Sequence, residues 1–339
     1  MPIERYIRQM TLTNVGKEGQ ERLLSSRVAI VGIGALGTVV ADHLCRAGIG
    51  YIRLIDRDLV ELSNLQRQML YTEEDARQSL PKAVTAAEHL RLVNSEIEIE
   101  PVVADLNTVN AEALLKGVDL VIDASDNFAV RYLINDICSK HTIPWIYCGA
   151  VGSSGMTMNI IPGDGPCFRC LVPKAPPAGS VQTCSTVGVL SMLTGLLASA
   201  QALEAVKILI GSKEVRKTLM VVDIWDWQVE FIEVKKNPDC HTCAQHRYEY
   251  LEQINGKESA TSLCGQNAIQ VLPDNPGTID FETMAKRLEK AGTVSYNPFM
   301  LRFSDSRVEI SLFKDGRAII KNAKSEGQAK SIYAEYIGR

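Results

Sequence analysis

Short apolar runs alternate with amphipathic stretches along the first 150 residues. The runs are rich in valine and isoleucine, as in strands buried on both faces, and they cover residues 28–31, 51–55, 97–103, 120–124 and 145–150. The stretches between them have helical spacing and cover residues 38–47, 82–93, 110–116 and 131–140. Because strands and helices that alternate in this way form βαβ units, the pattern predicts an α/β fold with a doubly wound, mostly parallel sheet.

The pattern changes in the rest of the chain. Further strands are predicted at residues 156–161, 218–222 and 228–234, and the composition becomes polar between residues 244 and 262. Beyond that boundary we predict strands 268–272, 299–303, 308–313 and 318–320, with helices 281–291 and 328–336. The predicted organisation is one domain at residues 1–247, a linker at 248–262, and a small α+β domain of unknown role at 263–339.

The most apolar stretch, residues 187–210, has the length of a transmembrane span. It contains the polar residues Gln201, Glu204 and Lys207 and is rich in small residues. We therefore expect a buried helix rather than a membrane helix.

A G-x-G-x-x-G turn joins the first predicted strand to the first predicted helix. Gly32 allows the tight turn, Gly34 lets a phosphate group approach the backbone, and Gly37 lets the helix lie close to the strand. Asp56 ends the second strand, where a ribose hydroxyl is expected. These features predict a nucleotide site in a Rossmann-like fold, and by default such a turn belongs to a nicotinamide- or flavin-dependent oxidoreductase.

Composition narrows the class of partner. The chain of 339 residues carries a formal net charge of −4, which argues against binding to nucleic acid or to a membrane surface. Residues 1–9 contain no apolar core segment, so no signal peptide is expected. The nine cysteines without an export signal favour a reduced, cytoplasmic compartment.

Two Cys-x-x-Cys pairs stand far apart in the chain, Cys167 with Cys170 and Cys240 with Cys243. Four thiolates in two such pairs make a closed tetrahedral zinc site with no open position for catalysis. A redox-active Cys-x-x-Cys is the alternative for either pair, but the presence of two pairs favours structural zinc. Cys184 precedes the apolar helix, where a helix N-terminus lowers a thiol pKa, although an inert cysteine is slightly favoured.

Three further residues are candidates for phosphate or metal binding. Arg67 offers a forked donor and Lys82 a point charge, and two cations beside a nucleotide turn favour a triphosphate over a nicotinamide. Asp126 follows a predicted strand and either caps the next helix or binds Mg²⁺. From the residues alone these two interpretations are evenly balanced.

Several short motifs occur together and in order. They are RYIRQ at residues 5–9, GIGALG at 32–37, DRD at 56–58, SNLQRQ at 63–68, PK at 81–82 and DASDN at 123–127. With the four paired cysteines, they resemble the ThiF/MoeB/HesA adenylyltransferases, bacterial relatives of ubiquitin-activating enzymes. The resemblance covers roughly residues 4–244 and overrides the oxidoreductase interpretation. Ala35 departs from it, because many members have a glycine there.

The resemblance implies an enzyme that uses ATP and Mg²⁺ to adenylate the C-terminal glycine of a small ubiquitin-fold sulfur-carrier protein ending in Gly-Gly. It implies that Asp56 holds the ribose, that Asn64, Arg67 and Lys82 hold the phosphates, and that Asp126 binds Mg²⁺. It also implies a homodimer in which Arg8 reaches into the partner subunit's active site, and a cysteine desulfurase as possible sulfur donor. The full set expected at the nucleotide is Gly32, Gly34, Ala35, Gly37, Asp56, Ser63, Asn64, Leu65, Gln66, Arg67, Gln68, Lys82, Asp126 and Asn127.

The pathway depends on the carrier. Cys184 matches the loop cysteine that links covalently to the carrier in ThiF-like members, and residues 263–339 resemble the extra domain of some of these members. We therefore expect a ThiS-type carrier of thiamine thiazole synthesis, with a MoaD-type carrier of molybdopterin synthesis as the alternative. The expected catalytic residues are Arg8, Arg67, Lys82, Asp126 and Cys184.

Overall fold

The computed structural model describes residues 3–176, 184–252, 260–263, 268–272 and 278–338. It divides into two compact units, Met1–Gln253 and Ile254–Arg339. The sequence-based linker, at residues 248–262, overlaps this division.

The first unit contains eight strands in one sheet. They are β1 (Arg27–Val31), β2 (Tyr51–Ile55), β3 (Glu98–Val102), β4 (Leu120–Asp123), β5 (Trp145–Val151), β6 (Ser154–Ile160), β7 (Leu219–Asp223) and β8 (Gln228–Ile232). The spatial order is β3-β2-β1-β4-β5-β6-β7-β8. Strands β1 to β5 pair in parallel, and β6 to β8 continue the sheet in antiparallel pairs. The mostly parallel sheet predicted from the alternating pattern is confirmed.

Helices flank the sheet of the first unit. They are α1 (Ile7–Met10), α2 (Gly16–Ser25), α3 (Gly37–Ala47), α4 (Glu73–Gln78), α5 (Lys82–Val93), α6 (Ala111–Leu115), α7 (Phe128–Lys140), α8 (Phe168–Leu171), α9 (Cys184–Val187), α10 (Ser191–Ile210) and α11 (Glu249–Glu252). Short 3₁₀ turns lie at Ile3–Tyr6 and Leu62–Asn64.

Two buried clusters lie on opposite faces of this sheet. Ile30 and Leu54 pack with apolar residues of α3, α5 and α10 in one cluster. Val31 and Val121 pack with residues of α6 and α7 in the other. Because successive strand residues point to opposite faces, these continuous apolar strands fill both clusters, as in doubly wound proteins.

The parallel strands end in register. Val31 pairs with both Ile55 and Asp123, and Ile55 pairs with Val102. The residues that follow β1, β2 and β4 therefore meet at one edge of the sheet, where ligands bind in this class of fold.

Helix α10 is long and apolar enough to cross a membrane by length and composition alone. Its polar residues show that it is instead a core helix. Gln201 Nε2 donates to the carbonyl oxygens of Asp123 and Ile146, at 3.0 and 3.3 Å. Glu204 accepts hydrogen bonds from Asn159 Nδ2 at 2.6 Å and from the backbone N–H of Arg216 at 2.9 Å. The sequence-based expectation of a buried helix is confirmed.

A single helix over residues 187–210, however, is wrong. Gly188 adopts φ +83°, which ends α9, and Val189 forms a bridge with Gly152 before α10 begins. A glycine at positive φ stops an α-helix because the backbone leaves the right-handed region.

In its described residues, the second unit is an antiparallel sheet with two helices. Its strands are β9 (Ala260–Leu263), β10 (Ala268–Val271), β11 (Thr293–Tyr296), β12 (Met300–Ser304), β13 (Glu309–Phe313) and β14 (Ala318–Lys321), with α12 (Phe281–Leu288) and α13 (Glu326–Tyr336). The spatial order is β11-β12-β13-β14-β10-β9. The antiparallel α+β architecture predicted for the tail is confirmed.

Several short elements were not predicted from the sequence, including the single-turn helices α8 and α11. Strand β9 lies almost entirely within the predicted linker, and β11 lies in a stretch without a predicted element. Their few apolar residues give no strong alternation, and pairing with β10 and β12 defines them. Helix α4 was also missed, although Thr72 caps it by accepting a hydrogen bond from the backbone N–H of Asp75.

Candidate functional site

The glycine turn between β1 and α3 is held by close backbone contacts. Gly32 adopts φ +88°, and a Cβ there would lie 2.7 Å from the carbonyl oxygen of Ala124. A Cβ at Gly37 would lie 1.9 Å from the carbonyl oxygen of Gly32. Both glycines are therefore required by the fold itself.

Gly34 is different, because the protein leaves space beside it. The nearest atom to a Cβ at this position is Gln68 Nε2, at 3.8 Å. Nothing in the described chain therefore requires a glycine here. The missing side chain leaves the backbone open to a ligand, as a phosphate-binding turn requires.

Asp56 lies directly after β2 and joins two loops. Its Oδ2 accepts a hydrogen bond from the backbone N–H of Ile33 at 2.6 Å, and its Oδ1 accepts one from Asp58 N–H at 2.7 Å. Burial raises the pKa of Asp56, while Lys82 opposes the rise. Each carboxylate oxygen can accept a further hydrogen bond, which suits a pair of ribose hydroxyls.

Lys82 is a buried cation surrounded by carboxylates. It begins α5, is only 4% exposed, and places Nζ 3.1 Å from Asp58 Oδ2. Burial alone would lower the pKa of Lys82, but Asp58, Asp56 and Asp126 together raise it above its ordinary value. The ammonium therefore stays charged, and its field reaches all three carboxylates.

Tyr71 and Asp58 also contribute to this site, although the sequence pattern predicts a role for neither. The buried hydroxyl of Tyr71 donates to the carbonyl oxygen of Ile33 at 2.7 Å and lies 3.2 Å from that of Lys82. It thereby ties the glycine turn to the start of α5. No motif distinguishes Tyr71 from an ordinary core aromatic, whereas Asp58 lies in the DRD motif.

Some of the side chains of residues 63–68 lie near the glycine turn. Asn64 is buried, and its Oδ1 accepts a hydrogen bond from Glu61 N–H at 3.0 Å, which shapes the 3₁₀ turn. Gln68 is buried beside Gly34, and its Oε1 has no hydrogen-bond partner among the described residues. Arg67 is half-buried, with Nη1 3.0 Å from the carbonyl oxygen of Ser63.

The remaining members of this segment differ in exposure. Ser63 and Gln66 are exposed, and Leu65 and Ala35 are half-buried. The structure gives none of these four side chains a polar contact with the glycine turn in the described residues.

Asp126 and Asn127 follow β4, at the same edge of the sheet. Asn127 caps α7 by accepting a hydrogen bond from Ala129 N–H at 2.8 Å. The cap interpretation of Asp126 is therefore wrong, because its neighbour performs that role. Asp126 is exposed, and its charge contributes to the raised pKa of both Lys82 and Arg131. Its exposed carboxylate thus interacts electrostatically with both of these cations.

Arg131 was also missed by the sequence analysis. This buried guanidinium lies 3.3 Å from Asp123 Oδ2 and donates through Nη2 to the carbonyl oxygen of Ser125 at 2.7 Å. Burial alone would lower its pKa, but Asp123 raises it. Arg131 holds the loop that carries Asp126 against α7.

Two predicted site residues lie apart from this cluster or beyond its description. Arg8 lies on α1 with an exposed side chain and has no hydrogen bond or ion pair among the described residues of its own chain. Cys184 is the first residue of α9, and its side chain lies outside the described part of the structure.

The four paired cysteines meet at one point. Their Sγ atoms all lie within 4.8 Å of one another, with Cys167 and Cys240 3.6 Å apart and Cys170 and Cys243 3.5 Å apart. Zinc–sulfur bonds of about 2.3 Å in a tetrahedron place sulfurs about 3.8 Å apart, so the cluster fits a four-coordinate metal ion. The predicted convergence of the two pairs is confirmed.

The second and third glycines of the turn, Gly34 and Gly37, should respond differently to substitution by alanine. Gly37→Ala places a methyl group against Gly32 O, so we expect it to destabilise folding by about 3 kcal/mol or more. Gly34→Ala should change stability by less than about 0.5 kcal/mol. Because its methyl group occupies the approach to the backbone, Gly34→Ala should still weaken nucleotide binding by about tenfold or more.

Urea denaturation and nucleotide titration of both variants measure these effects. A Gly34→Ala protein that binds nucleotide with undiminished affinity would contradict the phosphate-binding role of the turn.

The region that contains the glycine turn also matches a known protein family. The ThiF family model matches residues 6–242. The chain is 38% identical to the "Sulfur carrier protein ThiS adenylyltransferase" of Bacillus subtilis, over 98% of this chain and 99% of that protein. It is 40% identical to the "SAMP-activating enzyme E1" of Haloferax volcanii, over 76% of this chain and 94% of that protein.

A solved structure shares the fold. The crystal structure of E. coli MccB with ATP superposes with a TM-score of 0.62 at 22% identity, covering 70% of this chain and 74% of that one. The family match spans more than half of the chain, and the Bacillus relative spans nearly all of it. The chain belongs to the ThiF family.

Proposed function

We propose that this protein is an adenylyltransferase that uses ATP to activate the C-terminal glycine of a ThiS-type sulfur-carrier protein. The observation that carries the proposal is the 38% identity with a ThiS adenylyltransferase along nearly the whole length of both chains. The arrangement of cations and carboxylates around the glycine turn supports it.

The reaction joins a carboxylate to a phosphorus atom. A terminal carboxylate oxygen of the carrier attacks the α-phosphorus of ATP, and the bond from that phosphorus to the bridging oxygen of the β-phosphate breaks. Pyrophosphate leaves with the bonding electrons, and the carrier becomes an acyl-adenylate. Such a step depends on alignment and on neutralisation of charge, because no group of the enzyme needs to become covalently attached.

The roles that we propose follow from position. The turn at Gly34 accepts a phosphate, Asp56 binds the ribose hydroxyls, and Asn64, Arg67 and Lys82 bind phosphate oxygens. Asp58 holds Lys82 before ATP arrives, at 3.1 Å, so the ammonium is already placed and charged. The Nε2 atom of Gln68 lies beside Gly34, so this side-chain amide is suited to donate a hydrogen bond to a phosphate oxygen of the nucleotide.

Asp126 is our proposed magnesium ligand. An exposed carboxylate beside phosphate-binding cations fits Mg²⁺, which binds one or two carboxylates together with phosphate oxygens. When bound, Mg²⁺ neutralises the charge of the leaving pyrophosphate. Arg131 and the Asn127 cap fix the loop that presents this carboxylate.

Pyrophosphate exchange tests the function. With ATP, Mg²⁺ and a purified ThiS-type carrier, we expect labelled pyrophosphate to enter ATP, because acyl-adenylate formation is reversible. Exchange only with a MoaD-type carrier would move the assignment to molybdopterin synthesis, and exchange with neither would refute the proposal.

Two variants sharpen that assay. Asp126→Asn should lower the exchange rate by about 100-fold or more, since it removes a charge that acts on the transferred group. Asp164→Asn is a matched control, because Asp164 is an exposed acid that pairs with Lys217 on the surface.

The carrier needs a docking surface, and strand β8 supplies one by its position and composition. It is the last strand of the eight-stranded sheet, and all five of its residues are exposed. Val229 and Phe231 share one face, and Trp225 and Trp227 are exposed in the preceding turn, at 75% and 77%. An exposed apolar edge strand suits a small protein rich in β-strands, which can extend the sheet.

Substitution of Phe231 tests this surface. Phe231→Ser should raise the KM for the carrier about tenfold while leaving the KM for ATP unchanged, because an aromatic anchor contributes a large share of binding energy. Leu92→Ser is the matched control, since Leu92 is an exposed apolar residue on α5. An unchanged KM for the carrier would exclude β8 as its docking edge.

We propose zinc as the ion of the cysteine cluster. The four thiolates complete a tetrahedron, so the metal holds segments that are 70 residues apart in sequence and does not act on substrate. Zinc binding needs the four cysteines as thiolates rather than as disulfides, which supports a reduced, cytoplasmic location.

Metal removal tests this structural role. Chelation should release about one zinc ion per chain and lower the Tm by more than about 5 °C, because metal binding stabilises only the folded state. Cys45→Ala, which alters a buried thiol outside the cluster, should retain its metal. A metal-free protein with unchanged Tm would contradict the structural role.

The tail and Cys184 favour the ThiS pathway over the MoaD pathway. The alignment with the Bacillus protein includes the second unit, since it covers 98% of this chain. We propose that a cysteine desulfurase transfers persulfide sulfur to Cys184, and that the terminal sulfur of this persulfide attacks the carbonyl carbon of the acyl-adenylate. AMP leaves, and the carrier becomes joined to Cys184 through an acyl disulfide. We also propose a homodimer in which Arg8, exposed on α1, completes the partner subunit's site.

Cys184→Ser separates the two reactions. Exchange should persist at a rate within about twofold of the unsubstituted protein, since adenylation uses other residues. The covalent carrier adduct, detected by intact mass under non-reducing conditions, should disappear. Loss of exchange would assign Cys184 to the adenylation site instead.

A further inference from the structure

Helix α7 connects the cysteine cluster to the nucleotide edge of the sheet. Its first turn follows Asp126, and its middle lies against both Cys-x-x-Cys segments. At 1.5 Å per residue the 13-residue helix spans about 20 Å, so one rigid element reaches both places.

Two consecutive residues in the middle of α7 hold the two halves of the cluster. Asn135 accepts a hydrogen bond at Oδ1 from Phe168 N–H at 2.9 Å, between Cys167 and Cys170. Asp136 accepts one at Oδ1 from Thr242 Oγ1 at 2.9 Å, between Cys240 and Cys243, and one at Oδ2 from Tyr250 N–H at 2.8 Å. Asn135, Asp136 and Thr242 are all completely buried.

These hydrogen bonds and a bound metal ion would link helix α7 and the two cysteine segments to one another. Helix α7 holds each cysteine segment, and a metal ion held by all four thiolates joins the segments to each other. A buried carboxylate is costly unless it is hydrogen-bonded, and burial raises the pKa of Asp136 to about 6. The buried carboxylate of Asp136 is therefore stabilised by donors within and shortly after the second cysteine segment.

The N-terminal part of α7 is hydrogen-bonded to the loop that carries Asp126. Arg131 lies one turn before Asn135 and bonds the carbonyl oxygens of Ser125 and Cys148, at 2.7 and 3.3 Å. A shift of α7 therefore moves the loop that carries Asp126.

We propose that Asp136 is a positioning residue that transmits metal occupancy of the cysteine cluster to Asp126 through helix α7. The role of Asp126 rests on the proposed function, but the mechanical link does not. The Asp136–Thr242 bond holds the chain between two of the four cysteines, so we expect it to control metal retention.

Thr242→Val tests the link with little change in volume. It removes the hydroxyl donor to Asp136, and Thr242→Ser restores it. In the full-length, metal-loaded protein, we expect Thr242→Val to release zinc to a chelator at least tenfold faster. We expect faster deuterium exchange at the backbone amides of residues 125–131, and a severalfold higher Mg²⁺ concentration for half-maximal pyrophosphate exchange. Thr242→Ser should behave as the unsubstituted protein in all three measurements.

The outcomes separate this proposal from the proposed function. Wild-type zinc release in Thr242→Val would refute the role of Asp136 in metal retention. Faster release with unchanged deuterium exchange at 125–131 would refute the link to the site. If the unsubstituted protein catalyses no pyrophosphate exchange, the proposed function fails, while zinc release and deuterium exchange still decide the mechanical link.

Discussion

The structure of the site depends on one close approach, between the start of helix α3 and the glycine turn after β1. A side chain at position 37 would overlap the carbonyl oxygen of Gly32. The helix lies close to the strand, and residues from three later segments contact the short turn between them. Asp56 binds Ile33 N–H, Tyr71 binds Ile33 O, and Gln68 lies beside Gly34. Of the three glycines in the turn, Gly34 alone has no close neighbour that requires a glycine, which leaves its backbone open to a ligand.

Charged groups at the carboxyl edge of the sheet are positioned before any ligand binds. Lys82 is buried yet charged because carboxylates surround it, and Asp58 contacts it directly. A polyphosphate that entered the site would replace one set of negative partners with another, so little reorganisation would be needed. Asp126 remains exposed because Asn127 takes the capping role and Arg131 ties the loop to α7. This division of labour leaves one carboxylate available to a metal ion.

Helix α7 contacts both the loop of Asp126 and the two cysteine segments of the first unit. One end presents the loop of Asp126, and its middle satisfies the buried polar groups of the two cysteine segments. These segments are distant in sequence, and a metal ion is the strongest available link between them. The apolar edge strand β8 lies elsewhere on the same sheet. A single sheet thus carries both the edge that we propose for the nucleotide and the exposed edge that we propose for the carrier.

The sequence by itself determined the parallel sheet, the glycine turn and the four-cysteine cluster, because each follows from local spacing: apolar alternation, three glycines, and paired thiols. Its motifs also determined the ThiF family. Sequence pattern did not reveal Tyr71, Arg131 or Asp136, whose roles arise from contacts with residues far away in the chain. Nor could it exclude Asp126 as the cap of α7, since a cap and a metal ligand both need a carboxylate after a strand. Only the tertiary structure decided these points, because a hydrogen bond or an ion pair depends on which groups the packed helices bring within about 3 Å of each other.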